Sequence, residues 1–148
     1  MVSFIDFIIL LTPGLSGIGM NRVCPVQSSA GVDNPARPPA WVFGVVWPVL
    51  YLLIGLAWIQ ARRRLPILLV DGLFGGLTGL LVMWQFLWGC KDDRQSALYV
   101  LVAALTMALG AALACTRVCM WCALSMCLVV GWLVLATLLN YTSVERAL

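Results

Sequence analysis

The chain has 148 residues, 63% of them hydrophobic and 10% charged, with a formal net charge of +3 and no histidine. An ordinary soluble domain is roughly half apolar and a quarter charged, so this composition excludes a water-soluble fold of the usual kind. The small, scattered positive charge also excludes an electrostatic footprint for nucleic acid.

Charges are confined to short segments, and five apolar runs between them approach the roughly 20 residues that cross about 30 Å of hydrocarbon. The expected fold is all-α: an integral membrane bundle of five transmembrane helices in one domain, residues 1–148. Helices satisfy their own backbone groups in lipid, and no ten-residue alternating pattern suggests a barrel. The bilayer is the first partner.

The first run, Val2 to Met20, lacks a basic leader region, carries Asp6 and bends at Pro13 and Gly14. It reads as a retained helix rather than a cleaved signal. A polar, proline-bearing stretch from Arg22 to Ala40 follows, and leads into the second run, Val42 to Ile59. Trp41 and Trp58 bracket that run as interfacial tryptophans do, but Trp47 lies deep, where its indole N–H needs a partner in the protein or in a ligand. At about 100° per residue, Trp47, Tyr51, Ile54 and Trp58 share one side, with Gly44 leaving room beside the indole.

The third run, Leu65 to Gly89, starts with Asp71 near its edge, where a carboxylate facing Arg62, Arg63 and Arg64 costs little. Gly72 with Gly76, and Gly75 with Gly79, make overlapping small-xxx-small pairs suited to close helix approach, in the bundle or in a homodimer, with a dimer slightly favoured. Trp84 and Trp88 near its end serve either an interfacial belt or a pocket rim. The fourth run, Ala97 to Cys115, continues the small-residue theme with Ala104, Ala108 and Ala112. In the fifth, Val118 to Asn140, the four-residue spacing of Trp132, Ala136 and Asn140 places a ring, a gap and an amide on one stripe, with Trp121 on the same side. That stripe has the character of a pocket wall. The dense triplet Arg62 to Arg64 favours a cytoplasmic N-terminus in a bacterial-type membrane.

Six cysteines invite a metal or redox reading. Without histidine or a second CxxC, however, Cys115, Cys119 and Cys122 read as small residues lining a helix face. Cys24 is expected exposed and Cys90 interfacial, neither with a nameable partner, and no disulfide framework or metal site is expected. Parts for hydrolysis, phosphoryl transfer or proton relay are absent from the sequence, so no catalytic residue is assigned. The chemistry on offer is recognition of a flat apolar ligand by stacking and a few polar contacts.

The run Pro38-Pro39-Ala40-Trp41-Val42-Phe43-Gly44-Val45-Val46-Trp47, with Leu50-Tyr51 and Ile54-Gly55-Leu56-Ala57, resembles the PPxWVFGPVWxxLYxxMGxA signature of the TspO/MBR family, which comprises translocator proteins (peripheral-type benzodiazepine receptors) and bacterial tryptophan-rich sensory proteins. Trp84 to Gly89 resembles its WSPLFFG segment, and Trp132 to Asn140 its WxxFAxxLN segment. The resemblance covers essentially the whole chain and implies five helices, an envelope membrane in bacteria or the mitochondrial outer membrane, and a receptor or carrier for porphyrins such as protoporphyrin IX and haem, or for sterols such as cholesterol. Porphyrin is then a ligand rather than a cofactor. The candidate ligand-binding residues are Pro39, Trp41, Gly44, Trp47, Tyr51, Trp132, Ala136 and Asn140, of which the resemblance assigns Trp47 and Trp132 as pocket tryptophans and Ala136 as the small residue that gives the ligand space, among helices one, two and five. Leu139, Tyr141 and Arg146 fit a loose sterol pattern. Light-dependent porphyrin breakdown by Trp47 and Trp132, or a scaffold role without ligand, are the alternatives. The chain departs from the family at Ala36, where a loop tryptophan is usual, at Leu80 or Leu81, where many members place asparagine, and at Val144, where another tryptophan is common.

Overall fold

The computed structural model describes residues 3–25, 35 and 37–145. Among these residues the chain forms five helices, α1 Phe4–Val23, α2 Ala40–Arg62, α3 Ile67–Gly89, α4 Arg94–Thr116 and α5 Met120–Glu145. All five are long and apolar enough to cross a membrane.

Local chemistry explains where the helices begin. Ser3 and Asp6 form a reciprocal capping box: the Ser3 hydroxyl accepts the Asp6 N–H at 3.1 Å and the Asp6 carboxylate accepts the Ser3 N–H at 3.0 Å. Pro39 and Pro66, which have no N–H to satisfy, stand immediately before α2 and α3. The second helix therefore starts at Ala40, two residues earlier than its apolar run. Asp93 accepts the Ser96 N–H at 3.0 Å, which moves the start of α4 back to Arg94 from the expected Ala97. The fifth helix continues past Asn140 to Glu145.

The helices alternate in direction, and α2 touches all four others, while α4 joins α3 to α5 and α1 packs on α2 and α3. Alternation gives the bundle two faces. Ser3, the Arg62–Pro66 connection and the Arg117–Cys119 connection lie on an arginine-rich face; Cys24, Arg37 and Cys90–Asp93 lie on the opposite, loop-bearing face. Phe4, Leu15, Leu68, Leu113 and Leu128 project outward, as expected of helices that are apolar all round and solvated by lipid. The interior is filled by Ile54, Phe74, Leu77, Leu101, Met126 and Leu133, with Ala104, Ala108 and Ala111 of α4 keeping its neighbours close.

Two charged groups secure the arginine-rich face. Asp71 accepts the Trp58 indole N–H at 2.7 Å and pairs with Arg62, Nε to Oδ1 at 2.9 Å and Nη2 to Oδ2 at 3.1 Å. This is the edge position facing arginine that the sequence suggests. Asp6 takes Arg63 Nη2 at 2.8 Å, fixing the start of α1 against the end of α2.

The glycine face divides. Gly75 looks at the buried Trp58 ring of α2 and Gly76 at Met107 of α4, whereas Gly72 and Gly79 face open space.

The expectation for Cys24 and Cys90 is overturned. They form a disulfide with Cα atoms 5.0 Å apart, and Cys24 is buried rather than exposed. Alternating topology brings the ends of α1 and α3 to one face. Gly89 then lets the chains touch, since a Cβ there would lie 2.6 Å from the Cys24 carbonyl oxygen. Cross-linked peptides bearing Cys24 and Cys90 are expected from unreduced digests, separating on reduction; free thiols at both positions would contradict the pairing.

Helices α1 and α2 cross closely at Gly55, where an added Cβ would stand 2.5 Å from the Leu10 carbonyl oxygen. Gly55→Ala is expected to cost about 1–3 kcal/mol by overpacking, lowering the midpoint of thermal unfolding in detergent, while Gly72→Ala leaves it nearly unchanged.

Candidate functional site: an aromatic cavity between the helix ends

The cavity starts from the spacing of rings on α2. Four residues apart on one face, Trp47 and Tyr51 stack with centroids 5.6 Å apart. Trp47 also stacks on Trp84 of α3 at 5.7 Å and meets Trp132 of α5 edge-on at 6.3 Å. Trp84 in turn leans on Trp88 at 6.3 Å, and Phe43 meets Trp132 edge-on at 5.4 Å. One indole thus touches aromatic partners on three helices.

Tyr51 fixes the depth of this cluster. Its ring fills the notch left by the missing side chain of Gly17 on α1, where a Cβ would stand 2.6 Å from the phenolic oxygen. Gln85 Nε2 of α3 donates to that oxygen at 3.1 Å.

Above Tyr51 the helices separate around a cavity of about 440 Å³ that reaches the loop-bearing face. Gly17, Ile18, Asn21 and Arg22 of α1 line it, with Arg37 before α2 and Ala40, Phe43, Gly44, Trp47, Pro48 and Tyr51 of α2. Trp84, Gln85 and Trp88 of α3 and Ala136, Leu139 and Asn140 of α5 complete the wall. This volume lies within the span of small-molecule sites, about 300–1,000 Å³.

The polar groups in the wall are few and unusual. Asn140 is 2% exposed, yet neither its amide nitrogen nor its oxygen has a hydrogen-bond partner among the described residues. The same holds for Gln85 Oε1 and the Trp84 indole nitrogen, and for the indole nitrogen of Trp132 just behind the wall. Leaving one such buried group unmade costs roughly 1–3 kcal/mol, so this concentration marks a place where a ligand can supply the partners. Two guanidinium groups, Arg22 and Arg37, line the cavity, and none of the described residues lining it is a carboxylate. Arg37 lies over the Phe43 ring, 5.7 Å from its centroid.

Of the residues expected to bind ligand, Gly44, Trp47, Tyr51, Ala136 and Asn140 line the cavity together. Trp132 supports it from behind through Trp47 and Phe43. Pro39 and Trp41 fall outside the lining, and Trp41 is 70% exposed on the outer surface. Trp58 belongs to the opposite end with Asp71, and Trp121 is an exposed ring at that same end. The sterol pattern is split: Leu139 faces the cavity, Tyr141 is half-exposed on the outside, and Arg146 lies outside the described residues, as does Ala36.

Of the two readings open for Trp84 and Trp88, the pocket rim is the one found; Gln85 and the basic mouth had no place in the sequence reading. Gln85, a lone amide between two tryptophans far from the charged end of α3, was the available signal, because a polar side chain at membrane depth usually faces a partner or a cavity.

The fold and the cavity together define a polytopic helical membrane protein with an aromatic-walled site set between its helix ends. Residues 10–145 match the sequence profile of the TspO/MBR family, and the chain belongs to that family. It is an integral, multi-pass membrane protein. No curated protein sequence matches the chain.

Because the Asn140 amide is buried without partners in the fold, Asn140→Leu is expected to stabilise the ligand-free protein, by about 1 kcal/mol, while weakening any ligand that bonds the amide. Thermal unfolding in detergent with and without ligand reads both effects. A clear loss of stability in the ligand-free state would mean that the fold itself needs the amide.

Proposed function

We propose that this protein is a membrane receptor or carrier that binds flat, largely apolar ligands with a polar edge, porphyrins such as protoporphyrin IX and haem first among them. Membership of the TspO/MBR family supports the ligand class. The observation that carries the reading is the cavity itself, in which the Trp47, Trp84 and Trp88 rings offer stacking surfaces beside unpartnered polar atoms of Asn140 and Gln85.

The basic mouth favours porphyrins over sterols. Arg22 and Arg37 suit a ligand whose edge is acidic, as protoporphyrin IX has through its two propionates, and charge-assisted hydrogen bonds are the stronger kind. A sterol presents a single hydroxyl and gains little from them. Haem would be held here by ring contacts rather than by an imidazole, as the chain has no histidine.

Saturable quenching of tryptophan fluorescence by protoporphyrin IX is the expected result with purified protein in detergent, weakened by Trp47→Phe with the fold retained. Protoporphyrin dimethyl ester keeps the ring and removes the charge, and should bind about tenfold more weakly, equivalent to roughly 1.4 kcal/mol. Arg22→Gln should close most of that gap. Absence of saturable quenching by any of protoporphyrin IX, haem or cholesterol would overturn the reading in favour of a scaffold, and light-dependent loss of porphyrin that requires Trp47 and Trp132 would replace it with an enzyme.

A further inference from the structure

A second concentration of reactive groups lies on the arginine-rich face, at the other end of the bundle from the cavity. Cys115 stands in the last turn of α4, Cys119 follows in the connection and Cys122 stands in the first turn of α5. Their arrangement is more specific than a small-residue stripe. The Cys119 sulfur accepts the backbone N–H of Cys122 at 3.1 Å, as the capping atom of α5. Both thiols, Cys119 at 3.1 Å and Cys122 at 3.2 Å, donate to one atom, Oε1 of Gln60 on α2. Two sulfurs that share one acceptor oxygen are neighbours. Apolar packing has no use for an amide oxygen between them.

Exposure and charge divide the pair into two roles. Cys119 is partly open to the surface, whereas Cys122 is 1% exposed. Hydrogen bonding from Cys122, by its thiol and then its backbone, with the nearby Arg64 guanidinium in support, holds the Cys119 thiol below its ordinary range. An accessible thiol at a helix start, with a second thiol buried one turn on, is the layout that thiol–disulfide exchange requires. Arg62 and Arg63 are committed to Asp71 and Asp6, while Arg64 and Arg117 form no ion pair among the described residues and remain to attract an anion. Those residues hold no group of three or more His, Cys, Asp or Glu side chains placed to hold a metal ion.

We infer that Cys119 and Cys122 form a dithiol–disulfide site that exchanges with small anionic disulfides of the glutathione class. Cys119 gives its proton to water, and its thiolate attacks one sulfur of oxidised glutathione, forming a mixed disulfide as the glutathione S–S bond breaks and one glutathione thiolate leaves. Cys122 then loses its proton to that departing thiolate and attacks the Cys119 sulfur, releasing the second glutathione, which takes up the proton first lost. The two protein thiols are oxidised to one disulfide, and one oxidised glutathione is reduced to two glutathione thiols. The site is independent of the cavity and of its ligand. It also gives the two faces opposite redox character, with the Cys24–Cys90 disulfide on one and a reducible pair on the other.

The test equilibrates the wild-type protein in detergent with a series of oxidised to reduced glutathione ratios in the presence of a chelator, alkylates free thiols, and maps the cysteine peptides by mass. A Cys119–Cys122 disulfide is expected to appear as the ratio rises and to vanish as it falls, while Cys24–Cys90 stays constant. In Cys122→Ser the glutathione adduct should collect on Cys119. Full alkylation of Cys119 across the wild-type series overturns the proposal, as does oxidation that pairs Cys115 with Cys122 or an adduct found on Cys127 in place of Cys119.

Discussion

Tyr51 occupies a position on which three helices converge. Its ring enters α1 at Gly17, its neighbour on α2 is the Trp47 indole, and its oxygen takes the Gln85 amide of α3. In lipid, where apolar contact between helices gains little over contact with acyl chains, such steric fits and interhelical hydrogen bonds decide how helices associate. With Tyr51 seated, Trp47 is set against Trp84 and Trp132, and the space above the tyrosine becomes a cavity with a floor. A larger residue at Gly17 would displace the ring and with it the wall.

The ends of the bundle are held by different means. On the arginine-rich face, Trp58, Arg62 and Asp71 bind α2 to α3, and Asp6 with Arg63 adds α1. On the loop-bearing face the Cys24–Cys90 disulfide ties the end of α1 to the end of α3, immediately beside Arg22 and Trp88 of the cavity mouth. The cavity is thus framed by a covalent link at its rim and by Tyr51 at its floor, while the Asn140 amide, Gln85 Oε1 and the Trp84 indole nitrogen remain available.

Much of this was legible in the residues. Five apolar runs and the charges between them located the helices, because hydrocarbon thickness sets a length that composition must meet. The ends needed capping chemistry, as at Asp93, which apolar counting ignores. The parts of the cavity wall on α2 and α5 that helical spacing reveals are Trp47 with Tyr51, and Ala136 with Asn140. Trp41 did not follow, since six residues at about 100° each turn it some 120° away from Trp47 and out toward lipid. The α3 wall stayed ambiguous because two tryptophans at a helix end suit a membrane interface equally well. The disulfide joins residues 66 apart in sequence, a separation that no local pattern encodes, although helix alternation alone places both cysteines on one face.

The central claim is that the cavity over Tyr51 is where ligand resides, and a structure of the protein loaded with protoporphyrin IX tests it most directly. The ring should lie against Trp47 and Trp84 with a ring edge near Asn140 and its propionates toward Arg22 and Arg37. A porphyrin found on the lipid-facing surface or at the arginine-rich face, with the cavity unaltered, would contradict the account.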